Sequence, residues 1–165
     1  MSPDDLVIRT LEPDDVETLA EIAVTAWEQS YAYYRERMGD DLFETVYPDW
    51  RASKADQIRQ ACADESRTTV RVAELDGRVS GFVTFFTRGE PPIGEIGNNA
   101  VHPDAQGRGI GTALYRHTFD QLRERGVTCV TVATGCDPGH ASARHTYEKV
   151  GFDVSLPTVR YYRAL

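Results

Sequence analysis

The 165-residue chain reads as an α/β domain on three observations. Between Thr69 and Thr87 two β-rich runs flank Asp76-Gly77, the dipeptide that best accommodates the positive φ angles of a tight hairpin. Val16, Leu19, Ala20, Ala23, Trp27 and Tyr31 recur at helical spacing behind Pro13-Asp14-Asp15, where a pre-set φ and acidic side chains suit the positive end of a helix. From Glu95 to Arg125 the pattern passes from strand through a glycine-rich turn into a second amphipathic helix.

The remaining elements follow in order. Leu6 to Thr10 alternates as a short strand ahead of the first helix. Tyr31, Tyr33, Tyr34, Phe43, Tyr47 and Trp50 form an aromatic stretch broken by Gly39 and Pro48, which predicts a loop and short helical pieces before a helix over about Ser53 to Ala63. Strands are expected over Thr69–Leu75 and Arg78–Thr87, and over Glu95–Val101. The last of these is flawed by Gly97-Asn98-Asn99, which predicts a bulge or a splay. A helix from about Gly109 to Arg125, a strand Val127–Ala133, a helix from about His140 to Val150 and short strands near Phe152 and over Val159–Tyr162 complete the chain.

Length and a hydrophobic content of 41% fit one domain over residues 1–165. With 18 Lys+Arg against 26 Asp+Glu the net charge is -8, which repels phosphate backbones and anionic lipid and so argues against nucleic acid or membrane as the main partner. Apolar runs are far shorter than the ~20 residues a bilayer demands, and MSPDDLVIRT lacks the basic and apolar regions of a signal peptide, so a cytoplasmic location is expected. Cys62, Cys129 and Cys136 make an odd count with no CxxC pair, which suggests neither a disulfide framework nor a zinc ribbon. Cys136, His140 and His145 give a C-x3-H-x4-H spacing that could supply three ligands, short of the four a structural site wants, so no metal is expected.

The densest chemical signal is Val101-His102-Pro103-Asp104-Ala105-Gln106-Gly107-Arg108-Gly109-Ile110-Gly111-Thr112. Glycines let backbone N–H groups approach a ligand, and the helix N-terminus adds unpaired donors and a favourable dipole, a combination suited to a pyrophosphate. Arg108 can add a charge-assisted contact. A Walker loop would need Gly-Lys-Ser/Thr, and a dinucleotide fingerprint would need glycine where Leu114 stands, so neither applies.

On Gln106, Gly109 and Gly111, which meet the Gln/Arg-x-x-Gly-x-Gly/Ala signature, and on the later Ala-x-x-x-Tyr-Glu-Lys-x-Gly-Phe stretch ending at Phe152, the sequence resembles the GNAT superfamily of acetyl-CoA-dependent N-acetyltransferases. The resemblance spans most of the chain. It implies a GNAT-type fold, a mixed and mostly antiparallel central sheet flanked by helices, splayed between the strands near Val101 and Ala133 with the donor inserted there. It implies acetyl-CoA as co-substrate, its pantetheine arm bound by backbone groups of Asn99, Ala100 and Val101 and its pyrophosphate by Gln106, Gly107, Arg108, Gly109, Ile110, Gly111 and Thr112.

Tyr147 stands where many relatives keep a tyrosine near the thioester sulfur, and a phenol there can protonate or hold the departing thiolate. An alkyl amine of pKa ~10 must shed a proton to attack, so a base is useful. Glu95, six residues before Val101, matches the glutamate that serves as base in histone-acetylating relatives. His140 occupies a position where the family often has a cofactor-contacting asparagine, and the loop Thr134-Gly135-Cys136-Asp137-Pro138-Gly139 before it is unusual. His140 is therefore expected at the cofactor, and His140 or His145 is an alternative base.

The expected reaction is direct transfer to an amine without an acyl-enzyme, with Tyr147 and Glu95 as catalytic residues. The expected acceptor is a small-molecule amine, with Tyr31, Tyr33, Tyr34 and Trp50 where the family places acceptor-binding elements. The alternatives are a protein N-terminus or lysine as acceptor, or a non-catalytic acyl-CoA sensor. The strand expected over Val159–Tyr162 offers an edge for a homodimer.

Overall fold

The computed structural model describes residues 5–165. Strand β1 (Leu6–Thr10) leads through a short turn of helix at Pro13–Asp15 into α1 (Val16–Met38), followed by α2 (Asp40–Val46) and α3 (Trp50–Ala63). Strands β2 (Thr69–Leu75), β3 (Arg78–Arg88) and β4 (Ile93–Val101) precede α4 (Ile110–Glu124), β5 (Val130–Val132) and α5 (Ala141–Val150). The sheet runs β1-β2-β3-β4-β5, antiparallel except for the parallel pairing of β4 with β5. This is the expected mixed, mostly antiparallel architecture. The hairpin between β2 and β3 turns at Asp76 and Gly77 with φ of 53° and 74°, as its dipeptide requires.

Alternation along the strands divides the apolar residues between the two faces of the sheet. Val83, Phe85 and Ile96 pack with Ile110, Leu114 and Leu122 of α4 and Tyr147 of α5. Val70, Val72, Phe82 and Ala100 pack on the other face with Leu19, Ile22 and Ala23 of α1 and Ile58 of α3. The whole α4–α5 layer thus lies opposite the α1–α3 layer, with β4 between them.

Two irregularities in β4 position the site, as Gly97-Asn98-Asn99 suggested. Val83 pairs with Asn99 and Phe85 with Ile96, so Gly97 and Asn98 together stand opposite Thr84. One extra residue exchanges the faces of a strand. It brings the Asn99 side chain onto the α4–α5 face with Ile96, while Ala100 joins the α1–α3 core. Second, β4 and β5 pair only at Gly94, Glu95 and Ile96 against Val130, Thr131 and Val132, where β5 ends, so Gly97 to Val101 have no β5 partner. This open stretch of β4 lies where the splay was expected.

Several expectations shift. Helix α1 runs on through Tyr33 and Tyr34 to Met38, and α3 starts at Trp50 because Asp49 caps it, its side chain accepting from the Ala52 amide at 3.2 Å. The strand expected over Val127–Ala133 shortens to Val130–Val132, because Val127 closes the end of α4 by donating to the Leu122 carbonyl. No strand forms near Phe152 or over Val159–Tyr162. Pro157 supplies no donor, and β5 offers only three residues to pair with. Val154, Leu156, Val159 and Tyr161 remain exposed, and the tail is tied to α2's end where the Tyr162 and Tyr47 hydroxyls meet at 3.0 Å.

Candidate active site

The open half of β4, Gly97 to Val101, runs directly into the glycine-rich turn. Gln106 folds back so that its side-chain amide donates to the Val101 carbonyl at 3.3 Å, tying the turn to the strand that feeds it. Gly107 and Gly109 then take φ of +79° and +81°, a conformation L side chains resist, and α4 begins at Ile110. The first backbone bond of the helix is from Ala113 to Gly109, so the amides of Ile110, Gly111 and Thr112 precede the ladder and have no helical carbonyl to meet. Ile110 is buried and anchors the helix to the sheet, while Gly111 lies against Thr146 of α5. The turn is therefore a row of free donors at the positive end of a 15-residue helix, which fits the pyrophosphate of a nucleotide cofactor. Arg108 at present pairs with Asp76 at 3.3 Å, beside the hairpin turn.

Behind the turn the open strand meets two phenols. The Tyr115 hydroxyl donates to Asn99 Oδ1 at 2.7 Å, which fixes the amide so that Nδ2 donates to the Tyr147 oxygen at 3.3 Å. The Tyr147 hydroxyl in turn lies within donating distance of Asn99 Oδ1, at 3.4 Å, the longest contact of the three. Burial raises both phenols, and donation from Asn99 to Tyr147 only partly offsets it, so Tyr147 is a neutral proton donor at physiological pH. Tyr115, with its ring centroid 5.3 Å from that of Tyr147, escaped the sequence reading, as did the Asn99 side chain. Ala100 and Val101 pack into the two cores and leave their backbone as the part that can face a ligand.

Glu95 lies on the paired half of β4, opposite Thr131. Its carboxylate is held by Arg88 Nε at 2.5 Å. His140 ends the short helical turn Pro138–His140 at the start of α5, with its ring turned toward α1. There Nδ1 lies 2.6 Å from Asp137 Oδ2 and 3.1 Å from Ser30 Oγ. His145 makes no contact with this group. On α1 and α2, Tyr31 stacks on Trp50 at 4.1 Å, and Tyr34, Phe43 and Tyr47 pack around them edge-on or tilted. The Tyr34 hydroxyl donates to Asp137 Oδ2 at 3.1 Å, joining this aromatic group to the loop before α5. No cluster of metal-ligating side chains is found among the described residues.

Comparison with known proteins accords with this geometry. The sequence pattern of the Acetyltransferase (GNAT) family matches residues 18–152, and the chain belongs to that family. It is 31% identical over 171 residues to a mycothiol acetyltransferase of Rhodococcus jostii, covering 98% of this chain and 50% of the relative. It is 36% identical over 98 residues to an L-2,4-diaminobutyric acid acetyltransferase of Nocardia farcinica, covering 53% of this chain and 50% of the relative. The chain spans half or less of the length of the curated relatives it matches. In fold it is similar to the PaiA N-acetyltransferase of Thermoplasma acidophilum solved in complex with coenzyme A, at a TM-score of 0.72 and 19% identity over 92% of this chain and 91% of that one. An aminoglycoside antibiotic 6'-N-acetyltransferase from Acinetobacter haemolyticus superposes at a TM-score of 0.64 with 14% identity, over 96% of this chain and 99% of that one.

Proposed function

We propose that the protein transfers an acetyl group from acetyl-CoA directly to a primary amine of a small molecule. The observation that carries this reading is the union of the glycine-rich donor row at the head of α4 with the open edge of β4, one built for a pyrophosphate and the other for an extended amide-bearing arm. Gly107 through Thr112 would hold the pyrophosphate and Asn99 through Val101 the pantetheine. The donor supplies the activated acyl group. Tyr147, oriented by Asn99, protonates the thiolate as the C–S bond breaks, and most of the rate comes from holding amine and thioester together.

The small-molecule acceptor is supported by the relatives named for diaminobutyrate and mycothiol and by the aminoglycoside enzyme of like fold. A net charge of -8 draws a cationic amine toward the surface. The test is release of free coenzyme A thiol from acetyl-CoA with L-2,4-diaminobutyrate, an aminoglycoside, a polyamine and a short peptide with a free N-terminus as acceptors. Turnover with one of the first three is the expected result. Turnover with the peptide alone would make the protein a peptide acetyltransferase, and none with any amine would end the transfer reading.

A further inference from the structure

The base nominated by sequence, Glu95, sits on the paired half of β4 with its carboxylate bonded to the Arg88 guanidinium. In the loop between β5 and α5 a different group is assembled. Asp137 is 5% exposed, and its carboxylate takes three donors from outside its own residue. Ser30 Oγ donates to Oδ1 at 2.7 Å, Tyr34 donates to Oδ2 at 3.1 Å, and His140 Nδ1 meets Oδ2 at 2.6 Å. Burial raises the Asp137 carboxyl, but donation from Ser30 and His140 outweighs it and leaves a net lowering, so the group is a carboxylate.

A carboxylate only accepts, and Ser30 already gives its hydrogen to Oδ1. The hydrogen of the neutral imidazole is therefore on Nδ1, and the Nε2 lone pair has no hydrogen-bond partner among the described residues. The His140 side chain is 16% exposed and is held at Nδ1.

The surrounding backbone is shaped to this arrangement. Gly135 and Gly139 have ordinary φ, yet a Cβ on Gly135 would stand 2.9 Å from His140 Nδ1 and one on Gly139 would stand 2.8 Å from the Ser30 amide. Arg144 of α5 donates to the Gly135 and Asp137 carbonyls at 2.7 and 2.9 Å, fixing the loop from the other side. Trp27 of α1 meets the His140 ring edge-on at 5.9 Å, and on that indole the Lys54 ammonium of α3 sits 4.2 Å from the ring centroid. The charged and titratable groups around the imidazole are thus Asp137, Tyr34, Arg144 and, across Trp27, Lys54. Helix α1 packs on both β4 and the Pro138–His140 turn, so one helix links the cluster to the strand, and the same helix carries Tyr31 and Tyr34.

We propose that His140 is the general base of the acetyl transfer, with Asp137 and Ser30 as its positioning residues; the inference rests on the acetyl-transfer reading above. The acceptor nitrogen forms its bond to the thioester carbonyl carbon, its surplus proton passes to His140 Nε2 directly or through one water, and the C–S bond breaks with the sulfur taking the Tyr147 proton. His140 then releases its proton to solvent and Tyr147 regains one. The products are the acetamide and free coenzyme A.

The experiment measures kcat/KM against pH with the panel amine that turns over fastest, for the wild type, His140→Gln, His140→Ala, Asp137→Asn and Glu95→Gln, with acetyl-CoA affinity and circular dichroism as controls. A base must be neutral, so wild-type kcat/KM falls on the acid side. In His140→Gln, kcat/KM should fall about 100-fold or more, through kcat, and lose its acid limb while acetyl-CoA affinity stays within about twofold. Asp137→Asn should cost about tenfold. Added imidazole should restore part of the activity of His140→Ala, which a merely structural histidine would not allow. Glu95→Gln should keep the acid limb.

His140→Gln with unchanged kcat and an intact acid limb, or a large loss in Glu95→Gln instead, would overturn the assignment while leaving the transfer reading in place. A wild type that acetylates no amine would remove both.

Discussion

The two sides of the candidate site are built from different materials. The side proposed for the donor, from Gly97 to Thr112, presents main chain: the open edge of β4, the amides of the turn and the head of α4. The side proposed for the acceptor, on α1, α2 and the loop before α5, presents side chains brought together over long separations, such as Ser30 with Asp137, 107 positions apart. A diphosphate and an amide-bearing arm are constant features of one cofactor, and backbone groups at fixed local spacing suffice to read them. An acceptor amine varies, and side chains are the part of a fold that can vary with it. A family can therefore keep the first side while the second changes.

The sharpest break in this comparison is where the sides meet. Tyr147→Phe should lower kcat about 100-fold or more with acetyl-CoA affinity unchanged, read by thiol release and calorimetry. An unchanged kcat would remove the proton-donor role. Next in size, Gly109→Val forces a β-branched side chain into φ of +81° at the turn, which should weaken acetyl-CoA binding about tenfold or more. Its effect on acceptor KM should be small if the two sides are separate. Conversely, Tyr31→Ala removes a ring stacked on Trp50 and should raise acceptor KM several-fold, about 1 kcal/mol, while donor affinity holds.

The smallest effect concerns stability. Burial pushes the Lys54 ammonium down to about 8, and an ammonium whose folded value lies below its ordinary one opposes folding wherever it is charged in both states. That cost is full below pH about 8 and fades as pH rises toward the ordinary lysine value, where both states are neutral. Lys54→Met should therefore raise stability at pH 7 by about 1–3 kcal/mol in chemical denaturation, with the gain shrinking above pH 8. A loss of stability at pH 7 would mean that the contact with Trp27 outweighs the desolvation.

What sequence could disclose follows the same division. Gln106, Gly109 and Gly111 were legible because the turn they make is local, and the glycines carry a backbone requirement that no other residue meets easily. The weak middle of β4 was legible as an irregularity, since Gly97-Asn98-Asn99 disfavours regular pairing. Which way it turned Asn99 was not, because one bulged residue decides the face and pairing with β3 decides the bulge. Nothing in the spacing of α4 marked out Tyr115, whose hydroxyl acquires a role only when Asn99 arrives from the strand. The histidine, the carboxylate and the two glycines of the Gly135–His140 loop were visible as an oddity without a partner, because Ser30 and Tyr34 come from a helix more than 100 residues earlier. The strands expected beyond Phe152 failed for a related reason. Alternation in Val159 to Tyr162 says that a strand is affordable, and only the short free edge of β5 says whether there is anything to pair with.

Calorimetric titration of the purified chain with acetyl-CoA tests the donor site most directly. Saturable binding near one per chain, weakened about tenfold or more in Gly109→Val, is the predicted result. A folded protein that takes up no acetyl-CoA would contradict it and leave Gln106 to Thr112 as a turn between a strand and a helix.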